Sequence, residues 1–230
     1  YQAGASTRGR EFAARHAECV FVSGPSRKVV RDLVADVRRR AADNGRDPAE
    51  VLFFTSFSVI AGRSSQEAKE KYEEYLSYAD PEAAAALVSG WTGIDFSRFR
   101  PEDPVTHVPT QHMQSAVERY TTADPGRVWT FGEVLRRIAV GGGGGLAVGS
   151  PAEVADELQG WIEDTGIDGF NLGYALAPQS YVDFVDLVVP ELQRRGVYKK
   201  DYRPGTLREK FYGAGRARLP DAHPAAAARR

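Results

Sequence analysis

Between Arg27 and Asp43 the apolar residues fall at Val29, Val30, Leu33, Val34 and Val37, with charge in between. That three-and-four spacing predicts an amphipathic helix with one buried stripe. Asn44-Gly45 predicts its stop. Val51 to Ile60 reads differently. It is β-branched and aromatic without charge, the strongest strand in the chain. Glu18 to Val22, a short apolar run, and Gly169 to Gly173 read as further buried strands. Gln2-Ala3-Gly4 reads as the end of a buried strand entering a helix, with Phe12, Ala13, His16 and Ala17 at helical spacing. Ser64-Ser65-Gln66-Glu67 is a capping box. Ser150-Pro151-Ala152-Glu153 combines an N-cap serine, proline at the first position and glutamate at the third, with Val154, Leu158, Trp161 and Ile162 expected to face inward. Strand and helix thus alternate over residues 1–62 and 146–196. The prediction is an α/β fold of parallel strand–helix units, with strands near 2–4, 18–22, 51–60 and 169–173.

The middle of the chain breaks this rhythm. Residues 90–145 read as an excursion, helical around Gln111 to Tyr120 and again after the Thr130-Phe131-Gly132-Glu133 capping box. The Gly141–Gly145 run lacks the Lys-Ser/Thr of a phosphate loop and is expected to be a flexible connection. Pro190 is expected to kink or restart the last helix. Residues 1–212 form the expected domain. Residues 213–230, ending in an Ala/Pro/Arg-rich stretch, are expected to be a disordered tail.

Composition narrows the class. Of 230 residues, 42% are hydrophobic, enough for a sizeable core, and the net charge is −1. That balance gives no electrostatic footprint for nucleic acid or an anionic membrane. A single cysteine, Cys19, excludes an intrachain disulfide and a cysteine metal cluster, and a cytoplasmic setting is expected. No apolar run reaches spanning length.

Candidate chemistry is concentrated at the start. Ser6 precedes a helix, where a hydroxyl and free N–H groups suit an anion; spacing alone leaves it open between helix cap and phosphate ligand. Gln2 would lie at the carboxyl end of its strand, as a site residue or a polar rim residue. Asn171, inside an apolar strand, is read as satisfying neighbouring backbone in preference to facing a ligand. His16 is read as packing, Cys19 as a small buried hydrophobe, and Trp91 and Trp129 as core. His107 and His112 have no metal spacing. No catalytic residue is singled out.

Several collinear motifs carry a resemblance. They are Gln2-Ala3-Gly4-Ala5-Ser6 with Gly9-Arg10-Glu11-Phe12-Ala13-Ala14, Ala61-Gly62-Arg63, Ser89-Gly90-Trp91-Thr92-Gly93-Ile94-Asp95, Val148-Gly149-Ser150-Pro151, Asp168-Gly169-Phe170-Asn171-Leu172 and Val189-Pro190-Glu191-Leu192. Together the series resembles the bacterial luciferase-like monooxygenases, in the branch of nitrilotriacetate and dibenzothiophene-sulfone monooxygenases. The resemblance implies the C-terminal half of a (β/α)8 TIM-type barrel with an insertion at 90–145. It implies FMN, reduced by a separate flavin reductase, with O2 and a small organic substrate as partners, and a homodimer. Gln2, Ala3, Gly4 and Ser6 would be the cofactor-binding residues, Ser6 on the phosphate. The 230 residues alone would then be inactive. Alternatives are a non-catalytic flavin- or phosphate-binding fragment and a deazaflavin-dependent oxidoreductase of the same superfamily.

Overall fold

The structure, a computed structural model, describes residues 1–109, 112–141 and 143–228. In chain order the elements are α1 (Thr7–His16), β1 (Cys19–Val22), α2 (Arg27–Asp43), β2 (Leu52–Ala61), α3 (Ser65–Ser77), α4 (Pro81–Thr92), α5 (Gln114–Glu118), α6 (Phe131–Gly141), β3 (Gly145–Gly149), α7 (Pro151–Thr165), β4 (Gly169–Gly173), α8 (Gln179–Asp183), α9 (Val189–Arg194) and α10 (Leu207–Tyr212). Local chemistry sets many of the boundaries. Ser150 and Glu153 form the reciprocal capping box of α7, and left-handed Gly166 ends that helix. Between α8 and α9 the helix widens into a π-turn over Phe184–Val188, with the Val189 N–H reaching back to the Phe184 carbonyl. Pro190 follows at once. It has no N–H to continue the ladder and its ring crowds the preceding turn.

All three ladders of the sheet are parallel. β1 pairs with β2 from Cys19–Leu52 to Val22–Thr55, and β4 pairs with it from Gly169–Phe54 to Gly173–Ser58. β3 pairs further along, from Phe57–Gly145 to Ala61–Gly149. Phe54 and Thr55 are shared by β1 and β4, and Phe57 and Ser58 by β3 and β4. β1 and β3 therefore lie end to end on one edge of β2, with β4 on the other. Gln2 adds a parallel bridge to Val20 on the outer side of β1; the expected strand 2–4 is reduced to that bridge.

One face of this sheet is covered. Phe53, Phe57 and Val59 are buried beneath α2 and α7, with Val30, Leu33, Val34, Val37, Val154, Leu158 and Trp161 in the same core. Phe57 meets Trp161 and Phe170 edge-on, at 5.4 and 5.2 Å between ring centroids. The opposite face is open along its first half. There Phe21 is 37% exposed and Asn171 is exposed. A second core gathers Val88 of α4 and Val134 and Ile138 of α6 around Phe96, Tyr120, Trp129 and Phe131.

Several expectations need correction. The buried side of α1 is Ala13 and Ala14, while Phe12 and His16 face outward against each other. Small side chains let α1 approach α2 closely, and the larger ones are left outside. Ile162 is 42% exposed and Trp91 37% exposed. In the excursion, α5 begins at Gln114; Gln111 lies outside the described residues. The glycine run is not a free connection. Gly141 ends α6 and Gly145 opens β3. Arg137 donates to the Gly144 carbonyl at 2.6 Å. A Cβ on Gly144 would come within 2.5 Å of the Ser56 carbonyl oxygen, and one on Gly145 within 2.3 Å of the Phe57 ring. Glycine is needed there for close approach to β2; Gly142 lies outside the described residues.

The segment after residue 212 is described as far as 228. Within it His223 is buried, with Nε2 3.2 Å from the His16 carbonyl oxygen and Nδ1 accepting from the Ala225 N–H at 3.1 Å. Just before it, Arg208 pairs with Glu18 at 2.7 Å. The Tyr212 hydroxyl donates to the Glu18 carbonyl at 2.9 Å, and Arg216 pairs with Glu50. The composition of the chain's end predicts none of these contacts, whose partners are the last residue of α1 and the acids just before β1 and β2.

Candidate functional site

In a parallel sheet of strand–helix units the loops after the strands gather at one end, and ligands bind there. Here that end carries the loops after Gln2, after β1 at Ser23–Ser26, after β2 at Gly62–Ser64, and after β3 and β4. The first of these holds the sequence candidates together. Gln2 donates its N–H to the Cys19 carbonyl at 3.0 Å and accepts from the Phe21 N–H at 2.8 Å, so the loop springs from a fixed point. Ala3 is exposed, Gly4 half-buried and Ser6 exposed. The Ser6 oxygen accepts from the Gly9 N–H at 3.1 Å. Its hydroxyl proton remains free to donate. The first N–H groups of α1, on Thr7 and Arg8, have no intrahelical acceptor by position.

The glycines of this loop exist for contact. A Cβ on Gly9 would lie 2.9 Å from the Gly4 carbonyl oxygen, and one on Gly4 2.5 Å from Gln2 Nε2. Arg10 ties the turn down, donating to the Ala5 carbonyl at 2.7 Å and pairing with Asp36 of α2 at 3.3 Å. Gln2 Nε2 reaches the Gly9 carbonyl at 3.4 Å, while its Oε1 is buried with no partner. A buried acceptor without a donor is costly and uncommon. This loop is a backbone cradle whose donors, the Ser6 hydroxyl and the first N–H groups of α1, suit a phosphate; the orphaned Gln2 oxygen, an acceptor, takes no part in that.

The other candidates are placed elsewhere or differently. Asn171 pairs with Ser56 across the sheet and is exposed on the open face. It therefore does not serve buried backbone, contrary to the preferred reading of the sequence. Cys19 is buried and its thiol is pushed up by burial, which suits packing and not reactivity. Trp129 is buried against Tyr120, with the Arg127 guanidinium 3.6 Å over its ring. His107 contacts Gln114 at 2.9 Å, and the His112 ring lies over left-handed Gly93. Asp168 sits at the amino end of β4, where its carboxylate accepts from the Phe53 N–H at 2.8 Å; it joins β4 to β2. Glu153 joins α7 to α3 at the other end of the sheet: hydrogen bonds from Ser65 and Ser150 hold its carboxyl down to about 2. A cleft of about 450 Å³ lies between α3, α4 and α6, and no strand or strand-end loop lines it.

The model of the luciferase-like monooxygenase family matches residues 1–169. The chain belongs to that family. Dimethyl-sulfide monooxygenase of Hyphomicrobium sulfonivorans is 42% identical over 226 residues, covering 98% of this chain and 47% of that protein. The crystal structure of DmoA from the same organism matches with a TM-score of 0.83 over 98% of this chain and 47% of its own. Dibenzothiophene-sulfone monooxygenase of Rhodococcus erythropolis, from the branch the motifs resemble, is 34% identical over 221 residues, 90% of this chain and 47% of its own length. A riboflavin lyase solved with modified FMN and riboflavin is 34% identical, with a TM-score of 0.85, over 99% of this chain and 50% of that one. The chain spans about half the length of the curated relatives it matches. The expected fold stands, an α/β parallel sheet that overlays about half of a luciferase-like TIM barrel.

No signal in the sequence singles out Arg119, whose guanidinium reaches the Ser23 hydroxyl at 3.4 Å. It lies in the excursion, 96 residues from its partner, and only folding brings the two together. Among the described residues no helix is long and apolar enough to cross a membrane.

Proposed function

We propose that this chain is the C-terminal part of a two-component monooxygenase that oxygenates a small organic substrate with O2. It uses FMN reduced by a separate flavin reductase, in the cytoplasm and as a homodimer. The observation that carries the reading is the Gln2–Gly9 cradle at the carboxyl end of a parallel sheet, where the Ser6 hydroxyl and the first N–H groups of α1 offer donors to an anion. Relatives that span about twice this length are monooxygenases by name, and one matching structure holds a modified FMN.

FMN bound here would supply the oxygen-activating chemistry. The chain's own part is to bind and position it. The Ser6 hydroxyl and the first N–H groups of α1 receive the phosphate. Gly4 and Gly9 let backbone come close, and Ala3 lies at the mouth of the same loop. Gln2 fixes the loop to β1 and offers its amide. The open sheet face beyond it would border the substrate space. That open face also supports a second reading, in which these 230 residues alone bind a phosphate or flavin but do not turn over. Water reaches Phe21 and Asn171 freely, and a reactive flavin needs water excluded.

The test is flavin affinity by fluorescence titration. Ser6→Ala is expected to weaken FMN binding by about 1–3 kcal/mol, the scale of a hydrogen bond to a charged group. An unchanged affinity would leave Ser6 a helix cap. Product formation by the chain with FMN, reductase, NADH and O2, above the background of free reduced flavin, would remove the second reading.

A further inference from the structure

Half-buried cations in this molecule are mostly answered. Arg46 donates to the Ala14 and Ala17 carbonyls at 2.7 and 2.9 Å. Lys71 pairs with Asp183 at 2.9 Å, and Arg208 with Glu18. Arg119 differs. It follows α5 in the helical layer and extends toward the sheet. Its Nε reaches the Ser115 carbonyl at 3.3 Å and its Nη1 the Ser23 hydroxyl at 3.4 Å, both at the long end for such bonds. Among the described residues it forms no ion pair. Burial holds its pKa below the ordinary arginine value with only Tyr120 opposing. A guanidinium has five N–H donors, and on this half-buried side chain two contacts leave most of them open to a ligand.

Its position gives that charge a use. Ser23 directly follows β1. By strand alternation it shares the open face with Phe21. The last paired position of β1 is Val22–Thr55, so Ser23 comes level with Ser56, which pairs with Asn171. A polar row, Ser23, Ser56 and Asn171, therefore crosses the open face one step beyond the aromatic pair Phe21 and Phe54, and the guanidinium stands at its end. The segment that presents Arg119 is anchored twice. The Ser26 hydroxyl donates to Asp124 at 3.0 Å, which occupies that carboxylate, and the Tyr120 hydroxyl donates to the Gly143 carbonyl at 3.4 Å.

We propose that Arg119, beside Ser23, is a specificity-determining residue that receives an anionic oxygen group of the substrate, so that the substrate is an organic acid, a carboxylate or a sulfonate. This rests on the monooxygenase reading above. With Nε and Nη1 each holding one contact, the remaining N–H groups of the two Nη atoms match two oxygens of such a group. The group would bind over the polar row, with the apolar remainder of the substrate against Phe21 and Phe54.

The test titrates methanesulfonate, acetate and neutral dimethyl sulfone into the purified chain without flavin, by calorimetry. Methanesulfonate is expected to bind one per chain and to weaken by about ten-fold or more in Arg119→Gln, an equivalent of about 1.4 kcal/mol. Arg119→Lys keeps the charge but loses the fork and should fall in between. Dimethyl sulfone should bind about ten-fold more weakly than methanesulfonate and ignore the substitution. FMN affinity should change by less than about two-fold in Arg119→Gln, since its phosphate goes to the Ser6 loop. Equal methanesulfonate affinity in wild type and Arg119→Gln overturns the proposal, as does no anion binding by the wild type. An FMN affinity that falls with Arg119→Gln as far as methanesulfonate does also overturns it, because the subsite would then be the flavin phosphate's. If Arg119→Gln does not fold by circular dichroism, Arg119→Lys decides, and unchanged methanesulfonate affinity there counts against the proposal. If wild type takes methanesulfonate but not FMN, the monooxygenase reading fails while the Arg119 subsite stands.

Discussion

The two faces of β2 are made by one run of ten residues, yet they do opposite work. Phe53 and Phe57 have no exposed surface and lie beneath α2 and α7. Phe54 and Ser56, one step out of phase, belong to a face on which Phe21 and Asn171 meet solvent. The covered face gains from area removed from water and from close packing. The open face keeps aromatic surface, hydroxyls, an amide and a guanidinium within reach of a ligand. Stability and chemistry are thus sorted by the two-residue period of a strand. A change that looks similar in sequence should have very different consequences on the two sides.

The largest expected effect is on the covered side. Phe57→Ala removes a ring that meets Trp161 and Phe170 edge-on. Truncating a fully buried phenylalanine costs about 3–5 kcal/mol, much of the stability of an ordinary domain. Urea denaturation should show that loss. A cost below about 1 kcal/mol would mean that this face is not the organising core and would break the comparison.

The covered face was the legible part of the sequence. The stripe of α2 is buried at every predicted position, β4 spans the predicted residues, and β2 is displaced by one. In each case apolar residues on one side only leave a single way to pack. Where apolar residues sit on two sides the period misleads: Phe12 and Ala13 both look internal, and only the close approach of α2 selects the alanines. The start of α4 was legible and missed, since Asp80-Pro81-Glu82 supplies a cap, a proline and an acid in order. The cradle at Ser6 was visible as a motif because its partners are seven residues apart or fewer. Arg119 and Ser23 could not be seen. Their meeting depends on how the helical layer lies over the sheet, and no local pattern encodes that.

A smaller effect of opposite sign is expected at Thr55, also on the covered face. Its side chain is fully buried, yet Oγ1 has no hydrogen-bond partner. A buried hydroxyl without a partner costs about 1–3 kcal/mol, and an apolar group of the same shape avoids that cost. Thr55→Val keeps the β-branched shape that a strand favours. It should raise stability by about 1 kcal/mol, read as a higher urea midpoint at an unchanged slope. A loss of stability would show that the hydroxyl is paired in solution and that the covered face is less dry than its packing indicates.

The smallest effect belongs to the open face, and it sharpens the comparison most. Phe21 is as large and apolar as Phe57, sits in the neighbouring strand, and stacks on Tyr1 at 5.3 Å between ring centroids. Sequence alone would give the two rings equal weight. But Phe21 is 37% exposed, so truncation leaves no closed cavity and solvent fills the space. Phe21→Ser should cost less than about 1 kcal/mol, near the scale of an exposed substitution. The serine would also extend the polar row from Ser23 toward the amino end of the strand. If the open face holds the apolar part of the substrate, the variant should bind apolar ligands less well while its unfolding midpoint hardly moves. A midpoint shift as large as that of Phe57→Ala would mean that the face is covered in solution. The division between a face that holds the fold and a face that holds the ligand would then fail.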